Sequence, residues 1–161
     1  QSFYNRNTPI ATHIYLQSLT ISSNHKELTR EDYGLILESF VSTSWLIQGN
    51  WILKTKFSPF TNDSAIARDF CLILLNDIGK IERVKLNTVL KQFGLNGVKP
   101  EVLEFMLKQF GILTKERSWI LRVSEDVEFL ANNKEIVEKC KKELGERRKV
   151  LSGLIESYKN L

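Results

Sequence analysis

Glycine and proline are scarce in this chain. Its 161 residues hold eight of one and three of the other, too few for collagen, low-complexity or broadly disordered classes. Histidine and cysteine are scarcer, two of each, so a closed four-ligand zinc site would have to recruit all four. His13 and His25 both fall near the start, and neither has a cysteine or carboxylate at ligand spacing. No glycine-rich phosphate loop follows a strand-like segment. Long apolar runs are missing too. The longest aliphatic stretch, Cys71 to Leu75, is far short of the ~20 residues of a membrane-spanning helix. The start, Gln1-Ser2-Phe3, has neither an initiator methionine nor a leader pattern, which predicts a piece excised from a longer protein. Cys71 and Cys140 sit on apolar stripes and read as free buried thiols in a reducing, intracellular compartment.

What is present is ordinary for a globular chain: 42% apolar and 26% charged residues, with a net charge of +4. The segment from Pro9 to Leu19 suits a short helix or a strand, and residues 21–26 a loop. Thr29 as N-cap with Asp32 three residues on predicts a helix through Tyr33, Ile36, Leu37 and Phe40. Trp45-Leu46-Ile47 and Trp51-Ile52-Leu53 flank Gln48-Gly49-Asn50 as a hairpin. Pro59 marks a linker. Asp63 or Ser64 then caps a helix carrying Ile66, Phe70, Ile73 and Leu74, closed by Gly79. A strand near Lys80-Ile81 precedes a helix from Val84 to Phe93, stopped by Gly94. Pro100 opens a further helix carrying Val102, Leu103, Phe105, Met106, Leu107 and Phe110. A second hairpin follows, Ile112 to Thr114 against Trp119 to Val123. After a short helix through Phe129 and Leu130, one amphipathic helix carries Ile136, Cys140, Leu144, Leu151, Ile155 and Tyr158 on one face. Gly145 and Gly153 weaken it by about 1 kcal/mol each.

An internal repeat organises these elements. Residues 31–54 and 101–122 each run from an acidic helix start through an amphipathic helix, a strand and a polar turn to Trp-Ile-Leu and a cation, Lys54 or Arg122. Trp51 and Trp119 are 68 residues apart, the size of one small domain. The expected fold class is mainly α with small β-hairpin wings: tandem winged-helix domains plus a C-terminal helix. The boundaries read as a first winged-helix domain over 1–57, a linker over 58–64, a second domain over 65–131 and an amphipathic helix over 132–161.

Winged helices often bind DNA, with the second helix of the motif in the major groove. Here that helix, 99–110, offers Lys99, Glu101, Glu104, Lys108 and Gln109, and two acids would face phosphates. The equivalent helix in the first copy offers Arg30, Glu31, Asp32, Glu38 and Ser39. Groove reading is therefore disfavoured, and a protein-docking scaffold is preferred. The excess positive charge lies in the last helix, where Lys141, Lys142, Arg147, Arg148 and Lys149 are candidate contacts for a partner or for phosphate, interleaved with Glu138, Glu143 and Glu146. A smaller cluster, Lys80, Arg83, Lys85 and Lys91, is the second candidate. No catalytic, cofactor-binding or metal-ligating set emerges, and the tryptophans read as core.

In chain order, Gln48-Gly49-Asn50-Trp51-Ile52-Leu53-Lys54, the Pro59 linker, Ala67-Arg68-Asp69-Phe70, Pro100-Glu101-Val102-Leu103-Glu104-Phe105-Met106, the Trp119 strand, Glu128-Phe129-Leu130 and Glu135-Ile136-Val137 form a specific series. It resembles the winged-helix (C-terminal) region of the RNA polymerase III-specific subunit 5 family over roughly residues 40–140. The Gly-Asn-Trp wing and the Arg-Asp-Phe helix are its most specific parts. The resemblance implies a nuclear, non-catalytic, peripheral subunit with other RNA polymerase III subunits as partners. It also implies pairing with another subunit of that polymerase through a separate N-terminal module, so this stretch would correspond to the C-terminal extension. The expected function is a scaffold or docking module in transcription of small RNAs, with no cofactor, no membrane, no small-molecule substrate and at most weak DNA contact. The alternatives are a nucleic-acid-binding winged helix and a tandem winged-helix adaptor of another assembly, such as a membrane-sorting complex.

Overall fold

The computed structural model describes residues 29–161. The expected helix or strand over 9–19, the loop over 21–26 and both histidines lie outside the described residues. Helix α1 (Arg30–Thr43) opens on a capping box: the Asp32 N–H donates to Thr29 Oγ1 at 3.1 Å and the Thr29 N–H to Asp32 Oδ2 at 3.0 Å. Strands β1 (Ser44–Ile47) and β2 (Asn50–Leu53) pair antiparallel, with Ile47 opposite Asn50. Gln48 and Gly49 form the turn, both with positive φ (50° and 76°), which matches the right-handed strand twist.

A 3-10 turn (Thr55–Phe57) leads to α2 (Asn62–Asp77). Its N-cap is Thr61, upstream of the expected Asp63 or Ser64. Ser64 instead acts as the returning partner: the Thr61 N–H donates to Ser64 Oγ at 3.1 Å, and that hydroxyl donates to the Thr61 carbonyl at 2.6 Å. Gly79, with φ 85°, follows the helix end as expected. Then come β3 (Ile81–Glu82), α3 (Arg83–Gln92), α4 (Pro100–Phe110), β4 (Gly111–Leu113) and β5 (Ser118–Leu121). These strands form a sheet of order β3-β5-β4.

The C-terminal part holds α5 (Val127–Asn132), α6 (Lys134–Val150) and α7 (Ser152–Lys159). The expected single amphipathic helix is thus two. The bend is at Leu151 (φ −99°, ψ 13°), while the bonds from Leu151 N–H to Arg147 O and from Ile155 N–H to Leu151 O, 3.2 and 3.1 Å, carry the chain across it. The bend keeps Leu151, Leu154, Ile155 and Tyr158 buried in the main core. Gly153 serves close approach: a Cβ there would lie 3.2 Å from Phe93 Cε1. The chain is mainly helical with small antiparallel hairpins, as its sequence predicts.

Two apolar clusters hold these elements. The larger joins Ile47 and Ile52 to α2, α3, α4, β5 and α7. The smaller joins Leu46, Trp51 and Leu53 to α1, α5 and α6. Because successive side chains of a strand point to opposite faces, the first hairpin feeds one cluster with each face. Trp51 is the centre of the smaller one, stacked on Phe40 at 5.1 Å and edge-on to Phe129 at 5.7 Å. Among the described residues, no helix is long and apolar enough to cross a membrane.

Candidate docking interface

Helix α4 buries Leu103, Met106, Leu107 and Phe110, a stripe at i, i+3, i+4 and i+7. Phe105 lies off that stripe and is 58% exposed, although its apolar character suggests core. The stripe spacing itself is the signal that excludes it. Beside it on the outward face stand Glu101, Glu104 and Lys108. Lys108 Nζ lies 2.8 Å from Glu104 Oε1, so the cation of this face is drawn to a neighbouring acid. Strand β4 follows directly, and it exposes Ile112 and Leu113 at 45% and 56%. It is an edge strand of its sheet. At the opposite edge, the Tyr158 hydroxyl accepts the Glu82 N–H at 2.8 Å.

The two hairpins differ at their tips. The tip of the first is docked on the molecule itself. Gln48 donates through its backbone N–H to Asn76 Oδ1 (3.1 Å) and through Nε2 to the Leu75 carbonyl (2.8 Å). Asn50, fully buried, donates Nδ2 to the Ser124 carbonyl at 2.9 Å. Gly49 sits so close to the chain that a Cβ would lie 2.6 Å from the Asp126 carbonyl oxygen. This tip is committed to contacts inside the fold. The second tip, Lys115 to Arg117, is exposed.

The cations that end the repeat share one task. Lys54 Nζ donates to the Val41 carbonyl at 3.0 Å, and Arg122 Nη2 donates to the Lys108 carbonyl. Each therefore satisfies an orphan carbonyl in the last turn of the preceding helix and complements its dipole. Lys54 also meets Glu143 Oε2 at 2.8 Å, tying the first hairpin to α6.

The basic residues singled out in the sequence fall into separate groups. Arg147 Nε bonds Asp69 Oδ2 at 2.7 Å, and Arg148 bonds both Asp77 oxygens at 2.7 and 2.8 Å. These three bonds latch α6 onto α2. Hydrogen bonding to Asp77 raises the Arg148 pKa above its ordinary value. Lys141 and Lys149 face Glu138 and Glu146 at 3.3 and 3.7 Å, while Lys142 is exposed. In the second cluster, Arg83 Nη2 holds the Pro100 carbonyl at 3.1 Å, and Lys91 is exposed at the end of α3. Lys80 and Lys85 come together with Lys159, a residue that charge patterning along the chain does not single out, around an open cavity of about 450 Å³. The two clusters do not converge on one lining.

The Arg-Asp-Phe series has a structural task. Thr55 Oγ1 donates to Asp69 Oδ1 and accepts from Arg68 Nη1 at 2.8 Å. With Arg147 this makes a buried polar junction between the 3-10 turn, α2 and α6. Burial lowers the Arg68 pKa to about 10, opposed by Asp69. Burial likewise pushes the Cys71 thiol up to about 12 and the Cys140 thiol up to about 11, and both are free. Among the described residues, no cluster of His, Cys, Asp and Glu could hold a metal ion.

The fold is mainly helical with small antiparallel hairpins, and its motif residues Gly49, Asn50, Arg68 and Asp69 make contacts within the chain. A profile of the RPC5 protein family matches residues 12–152. The chain belongs to that family, the RNA polymerase III subunit 5 family of non-catalytic polymerase subunits. The match begins upstream of the stretch, roughly 40–140, that carries the resemblance, and ends beyond it. Among curated proteins nothing matches the chain.

Proposed function

We propose that the chain is a non-catalytic docking module of a peripheral RNA polymerase III subunit, acting in the nucleus, in transcription of small RNAs, through contacts with other subunits. In this reading its two helix–hairpin units are tandem winged helices joined at 58–64 and followed by the C-terminal amphipathic helical region over 132–161. The observation that carries the proposal is the outward face of α4 with β4. Where a DNA-reading helix carries donors for base edges, this face carries Glu101, Glu104 and an exposed Phe105, continued by Ile112 and Leu113. An exposed apolar patch rimmed by charge suits a protein partner. The docked tip of the first hairpin supports the same reading.

The test is affinity purification of the full-length protein from nuclear extract. The native chain is expected to recover other RNA polymerase III subunits, and Phe105→Glu combined with Leu113→Glu to lose one or more of them. Recovery of no polymerase subunit by the native chain overturns the proposal. So does tight duplex DNA binding with a steep salt slope that charge reversal at Lys80, Arg83 and Lys85 abolishes.

A further inference from the structure

We infer that the cavity between β3, the start of α3 and α7 is a binding site for an acidic peptide segment of a protein partner. Its lining is Ile78, Lys80, Glu82, Lys85, Tyr158 and Lys159, three ammonium groups against one carboxylate. Four cations elsewhere are already paired: Lys54, Lys108, Arg147 and Arg148 each lie within 2.8 Å of a carboxylate oxygen. Within this lining the ion pair is Lys85 with Glu82, at 3.8 Å. Neither Lys80 nor Lys159 has a carboxylate within ion-pair reach among the described residues. Converging like charges repel one another, and an anion between them relieves that repulsion.

The wall is shaped as well as charged. Tyr158 is buried, edge-on to Phe70 with ring centroids 6.2 Å apart. Its hydroxyl oxygen accepts from the Glu82 N–H at 2.8 Å, which leaves the hydroxyl proton available for an incoming acceptor. Lys85 Nζ stands 5.8 Å from the centroid of the same ring. Ile78 is exposed at the rim. The combination asks for carboxylates next to an apolar side chain, which an acidic peptide supplies and a bare phosphate does not. A concave cavity of this size receives side chains, whereas a duplex is gripped by a convex element. The β3 edge is already capped by Tyr158, so the segment binds through side chains and does not add as a strand.

The test uses the whole chain and a fluorescein-labelled peptide of alternating glutamate and leucine, followed by fluorescence anisotropy. The glutamate peptide is expected to bind with an affinity that falls with salt, and its glutamine analogue is not. Lys80→Ala combined with Lys159→Ala should weaken binding about tenfold, two exposed charge contacts' worth. Lys142→Ala, on the exposed face of α6, should leave it unchanged, and so should Phe105→Glu, which separates this site from the α4 face. Melting curves of each variant exclude unfolding as the cause. Absence of glutamate-peptide binding, or unchanged affinity in the Lys80/Lys159 double variant, overturns the inference. Displacement of the peptide by duplex DNA at lower concentration than by unlabelled peptide overturns it too and assigns the cavity to nucleic acid. Displacement by millimolar inorganic phosphate, with equal loss of glutamate and glutamine peptides, overturns the peptide assignment.

Discussion

Replacing Arg68 by methionine should barely change stability, although the side chain is completely buried. The guanidinium makes one hydrogen bond, Nη1 to Thr55 at 2.8 Å, and stands 6.0 Å from the Phe110 ring centroid. Its Nε and Nη2 have no hydrogen-bond partner among the described residues. Burial lowers its pKa from 12.5 to about 10. At neutral pH the group is charged whether the chain is folded or not, so a lowering of that size costs folding about 3 kcal/mol. The cost is fully present below pH 10 and fades only as pH rises from there toward 12.5, where the unfolded chain holds the extra proton. Against it stand one hydrogen bond and one cation–π contact, about 1 kcal/mol each. The balance for Arg68→Met is a change within about 1 kcal/mol, on the stabilising side, as for other buried charges replaced by apolar groups of similar volume. Asp69→Ala should behave oppositely. It removes the acceptor of Thr55 and Arg147 and the charge that opposes the lowering at Arg68, which costs about 3 kcal/mol or more. Urea unfolding at neutral pH, followed by tryptophan fluorescence and read at constant m, measures both. A loss of about 3 kcal/mol or more in Arg68→Met, or equal losses in the two variants, would refute the reasoning, because the guanidinium would then be a net source of stability.

Three further outcomes are expected. Trp51→Ala should cost about 3–5 kcal/mol by equilibrium denaturation, because it empties the space between Phe40 and Phe129; a loss near 1 kcal/mol would mean the smaller cluster is loosely packed. Gly49→Ala should cost more than about 1 kcal/mol and speed proteolysis near Ser124, since its φ is 76° and a Cβ meets the Asp126 carbonyl; a variant as stable and as protease-resistant as the native chain would contradict that approach. Cys71 and Cys140 should resist iodoacetamide at pH 8 until the chain unfolds, read by mass spectrometry. Both thiols stay neutral in the fold while the unfolded chain ionises near 9.0, so stability should fall as pH rises past that value.

The helix starts, the hairpins and their turns were legible because they rest on near neighbours in the chain. Thr29 needs only Asp32, and the first turn needs only Gln48 and Gly49 to accept positive φ. The boundary errors are local competitions. Thr61 displaced Ser64 as cap because Ser64 could answer it from the third position. The bend at Leu151 was not legible, since a period close to 3.6 continues through it and the close approach of Gly153 to Phe93 is a tertiary fact. The candidate basic residues were legible as a composition but not as a site. Charge counting treats Arg147 and Lys142 alike, whereas only one has Asp69 within reach.

The sequence by itself determined most of the elements among the described residues and the repeat, because caps, turn residues and apolar periodicity act over a few residues. It also determined that Trp51 and Trp119 belong inside. Tertiary structure alone decided that the first hairpin is buried on both faces, with Ile52 in one cluster and Trp51 and Leu53 in the other. It decided that the most specific motif residues, Gly49, Asn50 and Arg68-Asp69, bind the protein to itself. It left Phe105, Ile112 and Leu113 outward and gathered Lys80, Lys85 and Lys159 from distant stretches around one cavity. Burial and ion pairing depend on which surfaces meet, and the residues that meet here lie 71 or more positions apart in bonds such as Arg148 to Asp77 and Asn50 to Ser124. No local pattern encodes such a distance.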